Sequence, residues 1–329
     1  MKKTKLFAVL ALAATPAFLH AQTTNYSDIV GYQTIPLPAN TVTAVGVNFL
    51  NPDLIVGPIS SVSSSSVSVS GVNDLTSILS TNTPYYLEVL SGVNEGTRLE
   101  VDTSASLTNC PAIYIDTSSS RNTEVLADIS SSLTNATVAL RRHVTLSTIT
   151  PSIVGLNSGA SGTGDEVLLF NSATSSWVTY LRRTSTTWRD IFNATVDPVI
   201  PPGEGILIRK RATAGNLSIN GGVRKNNFHL NTKSGYQFLT FGFPVDNSFA
   251  SVGAFGGNWK FGTAGTGDEA LILKSDGSGY DSYLYRTSTT WRDVFNVTVN
   301  TNQILSGGGA VIFKKSLAED LTLSKPSGL

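Results

Sequence analysis

Two acidic pairs, Asp165-Glu166 and Asp268-Glu269, each follow a Gly-Thr-Gly segment. Paired carboxylates can hydrolyse a glycosidic bond when they flank it. Neighbouring residues of a strand point to opposite faces, so the members of one pair cannot flank the same bond. An aspartate beside such a turn commonly accepts hydrogen bonds from nearby backbone amides. We therefore predict that the pairs cap turns, and a hydrolase acting through Asp165 is the last of three functions that we consider.

Other residues with catalytic or metal-binding potential are sparse. His143 and His229 are far apart in the sequence, whereas a metal site needs several closely spaced ligands and a serine nucleophile needs a base within reach. Residues 276–281 are rich in oxygen ligands, but the bidentate glutamate of a calcium loop is missing and the counterpart segment, residues 173–178, has no carboxylate. We predict no catalytic or metal-binding residue and no cofactor, and we expect that the protein is not an enzyme.

Aromatic and basic side chains are the candidate ligand contacts. Trp188 and Trp291 occupy equivalent positions and are predicted to lie in cores, whereas Trp177 and Trp259 are predicted to be exposed platforms for sugar rings. Basic residues concentrate in the same region, where neighbouring strands would form a positive patch suited to anionic polysaccharide. The alternative is that these charges only protect strand edges. The predicted ligand-binding residues are Trp177, Trp259, Arg182, Arg183, Arg209, Lys210 and Arg211.

The octapeptide RTSTTWRD occurs twice, at residues 183–190 and again at residues 286–293. The acidic pairs are separated by the same 103 residues, and no gap is needed between them and the octapeptides. With one residue of slippage the match continues, so that it runs from Gly162 to Lys210 in the first copy and from Gly265 to Lys314 in the second. Such extended self-similarity indicates an internal duplication.

Each copy has the sequence pattern of a β-meander. Residues 166–170 and 177–182 are apolar, aromatic or β-branched and flank a segment of turn composition, which predicts a hairpin. Residues 187–192 predict a third strand and residues 205–211 a fourth. The prolines between these two strands impose an extended connection. No segment keeps apolar residues at helical spacing for long, so we predict an essentially all-β protein.

The region before the duplication predicts a separate domain. Serine alternates with apolar residues over positions 59–72, which favours a half-buried strand, and further strands are expected at intervals of about a dozen residues. The predicted organisation is a small N-terminal β domain over residues 22–134, formed as a barrel or sandwich. Two antiparallel β-meander modules, sandwich-like, follow over residues 135–215 and 216–329.

The chain begins with a lysine-rich start, an apolar run over residues 6–19 and a small residue at Ala21. This pattern predicts a secretory signal peptide over residues 1–21, and the run is too short and too interrupted to span a membrane. No later stretch predicts a membrane span. We expect export to the extracellular space or the outer cell surface, with the periplasm as an open alternative.

Charge and cysteine content restrict the partners. The formal net charge is +0 and charged residues make up only 14% of the 329-residue chain, which argues against nucleic-acid binding. Cys110 is the single cysteine, so no intramolecular disulfide can form and stability must come from apolar burial.

Several segments together resemble a family of exported, functionally uncharacterised β-rich proteins that occur as paralogues in verrucomicrobial-type bacteria: Val30-Gly31-Tyr32, Tyr85 to Glu88, Asp165 to Phe170, Trp188-Arg189 and Pro201 to Arg209. The resemblance implies an export address and a β-rich extracytoplasmic role, and it brings no catalytic residues. The second copy departs from the family pattern because residues 306–309 replace Pro-Pro-Gly-Glu-Gly.

Two binding functions precede the hydrolase in our expectation. Export, duplication, low charge and hydroxyl-rich composition favour a structural or adhesive protein of the cell surface or extracellular matrix. Such a protein could assemble with itself if residues 26–38 add a strand to a neighbour's sheet. The aromatic and basic residues favour instead a non-catalytic carbohydrate-binding protein that recognises extracellular polysaccharide.

Overall fold

The computed structural model describes residues 30–119, 121, 124–251, 259–299, 304–305 and 308–326. The predicted signal peptide, its cleavage site and the first part of the segment 26–38 lie outside these residues. Antiparallel sheets dominate the described residues, which confirms the predicted all-β, sandwich-like class.

In chain order the first strands are β1 (Val30–Leu37), β2 (Val42–Gly46), β3 (Asp53–Val62), β4 (Ser66–Val69), β5 (Tyr85–Val89), β6 (Arg98–Glu100), β7 (Ile113–Tyr114) and β8 (Thr137–Arg142). There follow β9 (Val144–Thr145), β10 (Glu166–Asn171), β11 (Ser176–Arg182), β12 (Trp188–Arg189), β13 (Val199–Ile200), β14 (Gly205–Arg209), β15 (Gly215–Gly222) and β16 (Phe228–Thr232). The last are β17 (Gly235–Leu239), β18 (Asn247–Ser248), β19 (Glu269–Leu273), β20 (Tyr280–Thr287), β21 (Thr290–Asp293), β22 (Ile304–Leu305), β23 (Val311–Lys315) and β24 (Glu319–Leu323). The helices are α1 (Thr103–Thr108), α2 (Leu126–Leu133) and α3 (Leu146–Ile149).

Two five-stranded sheets have the same strand order. The first is ordered β12-β11-β10-β14-β2, and the second β21-β20-β19-β23-β17. Each sheet is accompanied by corresponding strand pairs, β1 with β15 and β9 with β13 in the first module, and β16 with β24 and β18 with β22 in the second. The duplication therefore extends well beyond the segment that sequence similarity detects.

The N-terminal domain is an insertion in the first copy of the repeat. Its six-stranded sheet is ordered β6-β5-β8-β3-β4-β7 and surrounds its own hydrophobic core. Residues 47–143 separate β2 from β9, whereas only residues 240–246 separate the corresponding strands β17 and β18. The predicted boundary at residue 134 differs from this arrangement, because β8 belongs to the inserted sheet and β1 and β2 belong to the first module. The predicted boundary at residue 215 falls at the start of β15, which also belongs to the first module.

Local chemistry explains two further differences from the predicted strands. The alternating segment 59–72 contributes to two strands, β3 and β4, because the Ser63 hydroxyl accepts hydrogen bonds from the N–H groups of Ser65 (3.2 Å) and Ser66 (2.9 Å) and closes a tight turn. Helix α2 was not predicted, because its apolar residues occupy little more than two turns. It buries Leu126, Ile129 and Leu133 against the insertion core.

Strand β1 is paired along its whole length within the chain. Val30 lies opposite Gly222 and Leu37 opposite Gly215, with every residue between them in register. Strand β15 occupies one edge of residues 30–37 in this two-stranded sheet, and the prediction that the segment adds to a neighbour's sheet stays a prediction. Among the described residues, no helix has the length and apolar character needed to cross a membrane.

Candidate functional site

The predicted basic patch is partly neutralised by the acidic pair of the first module. Asp165 is completely buried and forms an ion pair with Lys210, which is equally buried. The same carboxylate accepts hydrogen bonds from the backbone N–H groups of Asn157 (2.8 Å) and Arg211 (2.8 Å). The turn-capping role predicted for Asp165 is confirmed, whereas Lys210 is wrong as a ligand contact because its ammonium lies inside the protein.

The second carboxylate of the pair binds the two arginines on either side of Lys210. Register places Glu166 opposite Arg209 across β10 and β14. Its oxygens accept from the guanidinium groups of Arg209 (2.7 Å) and Arg211 (2.5 Å). The predicted positive surface at these positions is therefore largely compensated, because Lys210 has its own carboxylate and the two arginines, about one-third exposed, share Glu166. One positive charge of the three remains, so the attraction for a sulfated or otherwise anionic glycan is weaker than predicted.

The second module repeats this ion-pair cluster. Asp268 binds Lys315 (2.6 Å) and Glu269 binds Lys314 (3.1 Å). Register pairs Glu269 with Lys314 just as Glu166 pairs with Arg209. Lys210 therefore corresponds to Lys315, one residue beyond the end of the predicted match. The sequence signal for these ion pairs was that an acidic pair and, more than forty residues later, a basic pair recur in both copies.

Arg182 and Arg183 are also engaged within the first module. The Arg182 guanidinium is buried, lies 5.3 Å from the ring centroid of Trp188 and donates to the carbonyl oxygen of Ser185. Desolvation lowers the pKa of Arg182. Arg183 is partly exposed and donates to the side-chain oxygen of Asn193 at 3.4 Å. Of these two arginines, only Arg183 lies at the surface.

The structure places two of the four tryptophans as predicted and two differently. Trp188 and Trp291 lie in the two module cores, as predicted. Trp259 is only 4% exposed and packs edge-on against Trp291, with centroids 5.5 Å apart, so its prediction as a platform is wrong. The sequence could have indicated this burial, because Trp259 lies at the repeat distance of 103 residues from Leu156, so the equivalent residue of the first module is apolar. Trp177 is partly buried between the two modules rather than displayed on the surface.

A buried charged network lies where the insertion meets the link between the modules. Glu88 of β5 accepts from Arg141 of β8, from Arg224 and from the side-chain amide of Asn226. The guanidinium of Arg224 also lies 4.4 Å from the ring centroid of Phe228. Because its members are buried and bonded to one another, this network joins the insertion to the repeat. Within the described ranges, no group of His, Cys, Asp and Glu residues could hold a metal ion.

The two histidines have separate structural partners. The buried His143 lies 2.9 Å from a carboxylate oxygen of Glu100, and it is outside any strand. His229 lies in β16, and its Nδ1 is 3.0 Å from the hydroxyl of Thr322. The structure therefore does not bring the two imidazoles together.

Two exposed apolar loops are the features that sequence reasoning missed. Residues 191–192, here called the first tip, place Phe192 84% exposed directly after the short strand β12. The Asp190 carboxylate accepts from the N–H groups of Phe192 (3.0 Å) and Ala194 (2.8 Å). Asn193 turns the chain with a φ of 68°. The predicted third strand thus ends early, because this aspartate closes a turn under the phenylalanine.

The second tip, residues 294–295, has the same construction. Phe295 is 83% exposed, and the Asp293 carboxylate accepts from the N–H groups of Phe295 (2.9 Å) and Val297 (2.8 Å). Asn296 has a φ of 66°. In both modules an arginine of the strand before the tip also donates to the backbone carbonyl of the asparagine. The distances are 2.7 Å for Arg189 and 2.8 Å for Arg292. Each phenylalanine is therefore presented by a fixed turn.

The interface between the two sheets is asymmetric. On one side Trp177 fills the space, with its ring centroid 5.0 Å from that of Phe170 and 5.1 Å from that of Phe238. On the other side the equivalent positions hold Tyr280, Leu273 and Ala44. Tyr280 is partly exposed, and a groove of about 450 Å³ remains there. This inter-module groove is lined mainly by apolar residues, among them Ile35, Pro36, Val42, Ala44, Leu273 and Val311.

Comparisons with protein-family models, with curated proteins and with solved structures found no match for this chain.

Proposed function

We propose that this protein is an exported, non-catalytic structural or adhesive component of the cell surface or extracellular matrix, and that it makes contacts through its two apolar tips. The observation that carries the proposal is the repeated exposure of Phe192 and Phe295. Neither ring contributes to a module core, so packing gives no reason for both copies to keep phenylalanine there.

The construction of the tips supports a binding role. An exposed aromatic ring on a fixed turn loses little conformational freedom when it is buried by a partner. The turns under Phe192 and Phe295 are held by carboxylate-to-backbone hydrogen bonds and by an arginine. One tip on each module also gives a single chain two points of attachment, which raises avidity when both can engage.

The fate of the acidic pairs supports a non-catalytic role. Asp165 and Asp268 are buried against lysine ammonium groups, and each accepts backbone hydrogen bonds. Their lone pairs are therefore directed to the protein itself, and the carboxylates are not available to flank a glycosidic bond.

Retention on the cell envelope tests the proposal. The mature chain, residues 22–329, would be incubated with washed envelopes of the producing cells and the bound fraction measured. We expect that replacing both phenylalanines with serine (Phe192→Ser with Phe295→Ser) lowers retention about tenfold or more, because two buried rings are lost. Val93→Ser, at an 85% exposed position of the insertion, is the matched control and should bind like the wild type. Equal retention of the double variant and the wild type would contradict the proposal.

A carbohydrate-binding function is the second candidate, and one cleft favours it. A cavity of about 570 Å³ beside the second tip is lined by Phe295 and Tyr280 together with oxygen-bearing side chains such as Asp281, Ser282 and Thr298. Ring faces with nearby hydrogen-bonding groups suit a sugar. Because most of the charge of the basic cluster is compensated, a neutral glycan is favoured. Pull-down on immobilised neutral and sulfated polysaccharides should show retention on a neutral one that Tyr280→Ala lowers, and no retention on any would remove this candidate.

A further inference from the structure

We propose that copies of this chain join head to tail, with Phe192 of one copy inserted into the inter-module groove of the next. This inference rests on the proposed structural function and deepens it, because it names the partner as a second copy and assigns different roles to the two tips. The first tip acts as the inserting group and the groove as its receptor.

The groove is suited to an aromatic ring. The equivalent space on the other side of the same interface is occupied by the indole of Trp177, which packs edge-on against Phe170 and Phe238. In the groove the corresponding walls carry the smaller Leu273 and Ala44. The cavity of about 450 Å³ is continuous with the apolar interface between the modules, since Val42, Ala44 and Leu273 pack against its core. Insertion of a phenylalanine would bury apolar surface on both sides.

Position distinguishes the first tip from the second. The first tip follows β12 at one edge of the first sheet, whereas the groove borders β2 at the opposite edge. A protruding group and its receptor on opposite edges give a heterologous contact, which repeats from copy to copy and forms an open chain unless the rotation between copies closes a ring. The second tip lies on the side of the groove itself, because Lys274 lines both the groove and the cavity beside Phe295.

The charges around the two surfaces are complementary. Arg183 and Arg189 are both hydrogen-bonded to Asn193, directly after the first tip. The hairpin beside the groove carries Asp276 and Asp281, whose counterparts in the first module, Ala173 and Val178, are uncharged. Lys274 of the groove wall lies 4.0 Å from Asp281, so one negative charge of the hairpin remains to attract the arginines. This hairpin borders the groove, since a Cβ atom on Gly277 would lie 3.2 Å from the backbone nitrogen of Val42. Without the three lysines of the predicted signal peptide, 20 basic residues stand against 23 acidic ones, and this small net charge of −3 gives only weak repulsion between copies as a whole.

Sedimentation velocity of the mature chain over a range of concentrations, with negative-stain electron microscopy, tests the inference. The wild type should form oligomers that lengthen with concentration. Phe192→Ser should weaken association about ten- to a hundredfold, as expected for the loss of one buried phenylalanine. Ala44→Trp, which fills the groove as Trp177 fills the other side, should have the same effect. Phe295→Ser removes an equally exposed ring from the equivalent turn of the second module and should self-associate like the wild type.

Mixing the two defective variants gives the decisive result. Phe192→Ser keeps an open groove and Ala44→Trp keeps an intact first tip, so an equimolar mixture should form one-to-one dimers although neither variant associates alone. Leu273→Phe is a second groove-filling variant in case Ala44→Trp fails to fold, as judged by circular dichroism. The inference is overturned if the mixture stays monomeric, if Phe295→Ser weakens association as much as Phe192→Ser, or if the wild type is a monomer at every concentration. Loss of envelope retention in the double tip variant would still support the proposed function in each of these cases.

Discussion

The two modules share their strand order and ion-pair clusters but differ at the surface where they meet. Both bury an aspartate against a lysine, and both present a phenylalanine on an Asx-type turn. At their interface Phe170, Trp177 and Phe238 fill one side, whereas the equivalent positions on the other side border the groove of about 450 Å³. The interactions within each sheet are therefore shared by the two modules. The surfaces through which the modules contact each other have diverged, because equivalent residues of the two modules meet different neighbours there.

One substitution between the copies shows what a module core requires. Arg182 of the first module corresponds to Tyr285 of the second. Arg182 donates to the carbonyl of Ser185, and the Tyr285 hydroxyl donates to the equivalent carbonyl of Ser288 at 2.7 Å. Each side chain also lies beside the module's core tryptophan. The site therefore selects a flat group with a donor at its end, and it accepts either a charged or a neutral one.

Removing the buried lysine should have the largest effect on stability and should be similar in the two modules. Lys210→Met and Lys315→Met each leave a buried carboxylate without its cation, which costs about 3 to 5 kcal/mol. Urea denaturation followed by tryptophan fluorescence would measure the loss. Combining Lys210→Met with Asp165→Asn should recover part of it, because the uncompensated charge is then absent. A loss below about 1 kcal/mol in either module would show that its ion pair is not needed for folding.

Truncating the two equivalent aromatic residues should separate the filled side of the interface from the open side. Trp177→Ala removes a ring that packs against Phe170 and Phe238, and we expect a loss of about 2 to 3 kcal/mol. Tyr280→Ala removes a ring that is partly exposed and should change the free energy of unfolding by about 0.5 kcal/mol or less. Thermal denaturation of both variants provides the comparison. Equal losses would mean that the asymmetry of the interface has no energetic counterpart.

Glu204 should give a smaller effect than the buried lysines and Trp177, and one that depends on pH. Burial raises the pKa of Glu204 to about 7, although Arg121 and Arg98 oppose the shift, and its counterpart in the second module is Gly309. The folded chain therefore binds this proton more tightly than the unfolded chain does. The stabilising contribution is full below the ordinary glutamate pKa and is lost as the pH rises through about 7.

Glu204→Gln should remove this pH dependence. The variant and the wild type should have similar melting temperatures at about pH 4, whereas at pH 8 the variant should be more stable by about 1 to 2 kcal/mol. Differential scanning calorimetry at both pH values measures the difference. A wild type that gains stability relative to Glu204→Gln as the pH rises would contradict the assigned direction of the pKa.

The sequence was informative where the two copies still resemble each other. Short runs of apolar, β-branched and aromatic residues, with turn residues between them, predicted β10, β11 and β14. The edge strands β2 and β17 have diverged, and the insertion separates β2 from the rest of its sheet by more than a hundred residues. Self-similarity therefore could not reveal that they are equivalent.

The candidate site was less predictable, because it depends on pairings across strands. The adjacent charges Arg209, Lys210 and Arg211 are visible in the sequence, but the carboxylates that neutralise them lie more than forty residues earlier. Exposure of Phe192 depends on where β12 ends, and that point is set by hydrogen bonds to Asp190 rather than by the hydrophobic pattern. The ion-pair partners follow from the register of the strands, and the exposure of Phe192 follows from the turn at Asp190. The hydrophobic pattern alone shows neither of them.

The inserted domain imposes an order on biosynthesis. Strands β1 and β2 leave the ribosome early, yet their partners β15 and β14 follow only after about 160 further residues. In the second module the corresponding partners β17 and β23 are separated only by residues 240–310, less than half that distance. The insertion can close its own sheet in the interval. The first module therefore completes its fold by recruiting an N-terminal arm made long before, so slow elongation through residues 47–204 prolongs the time in which that arm is open to unintended pairing.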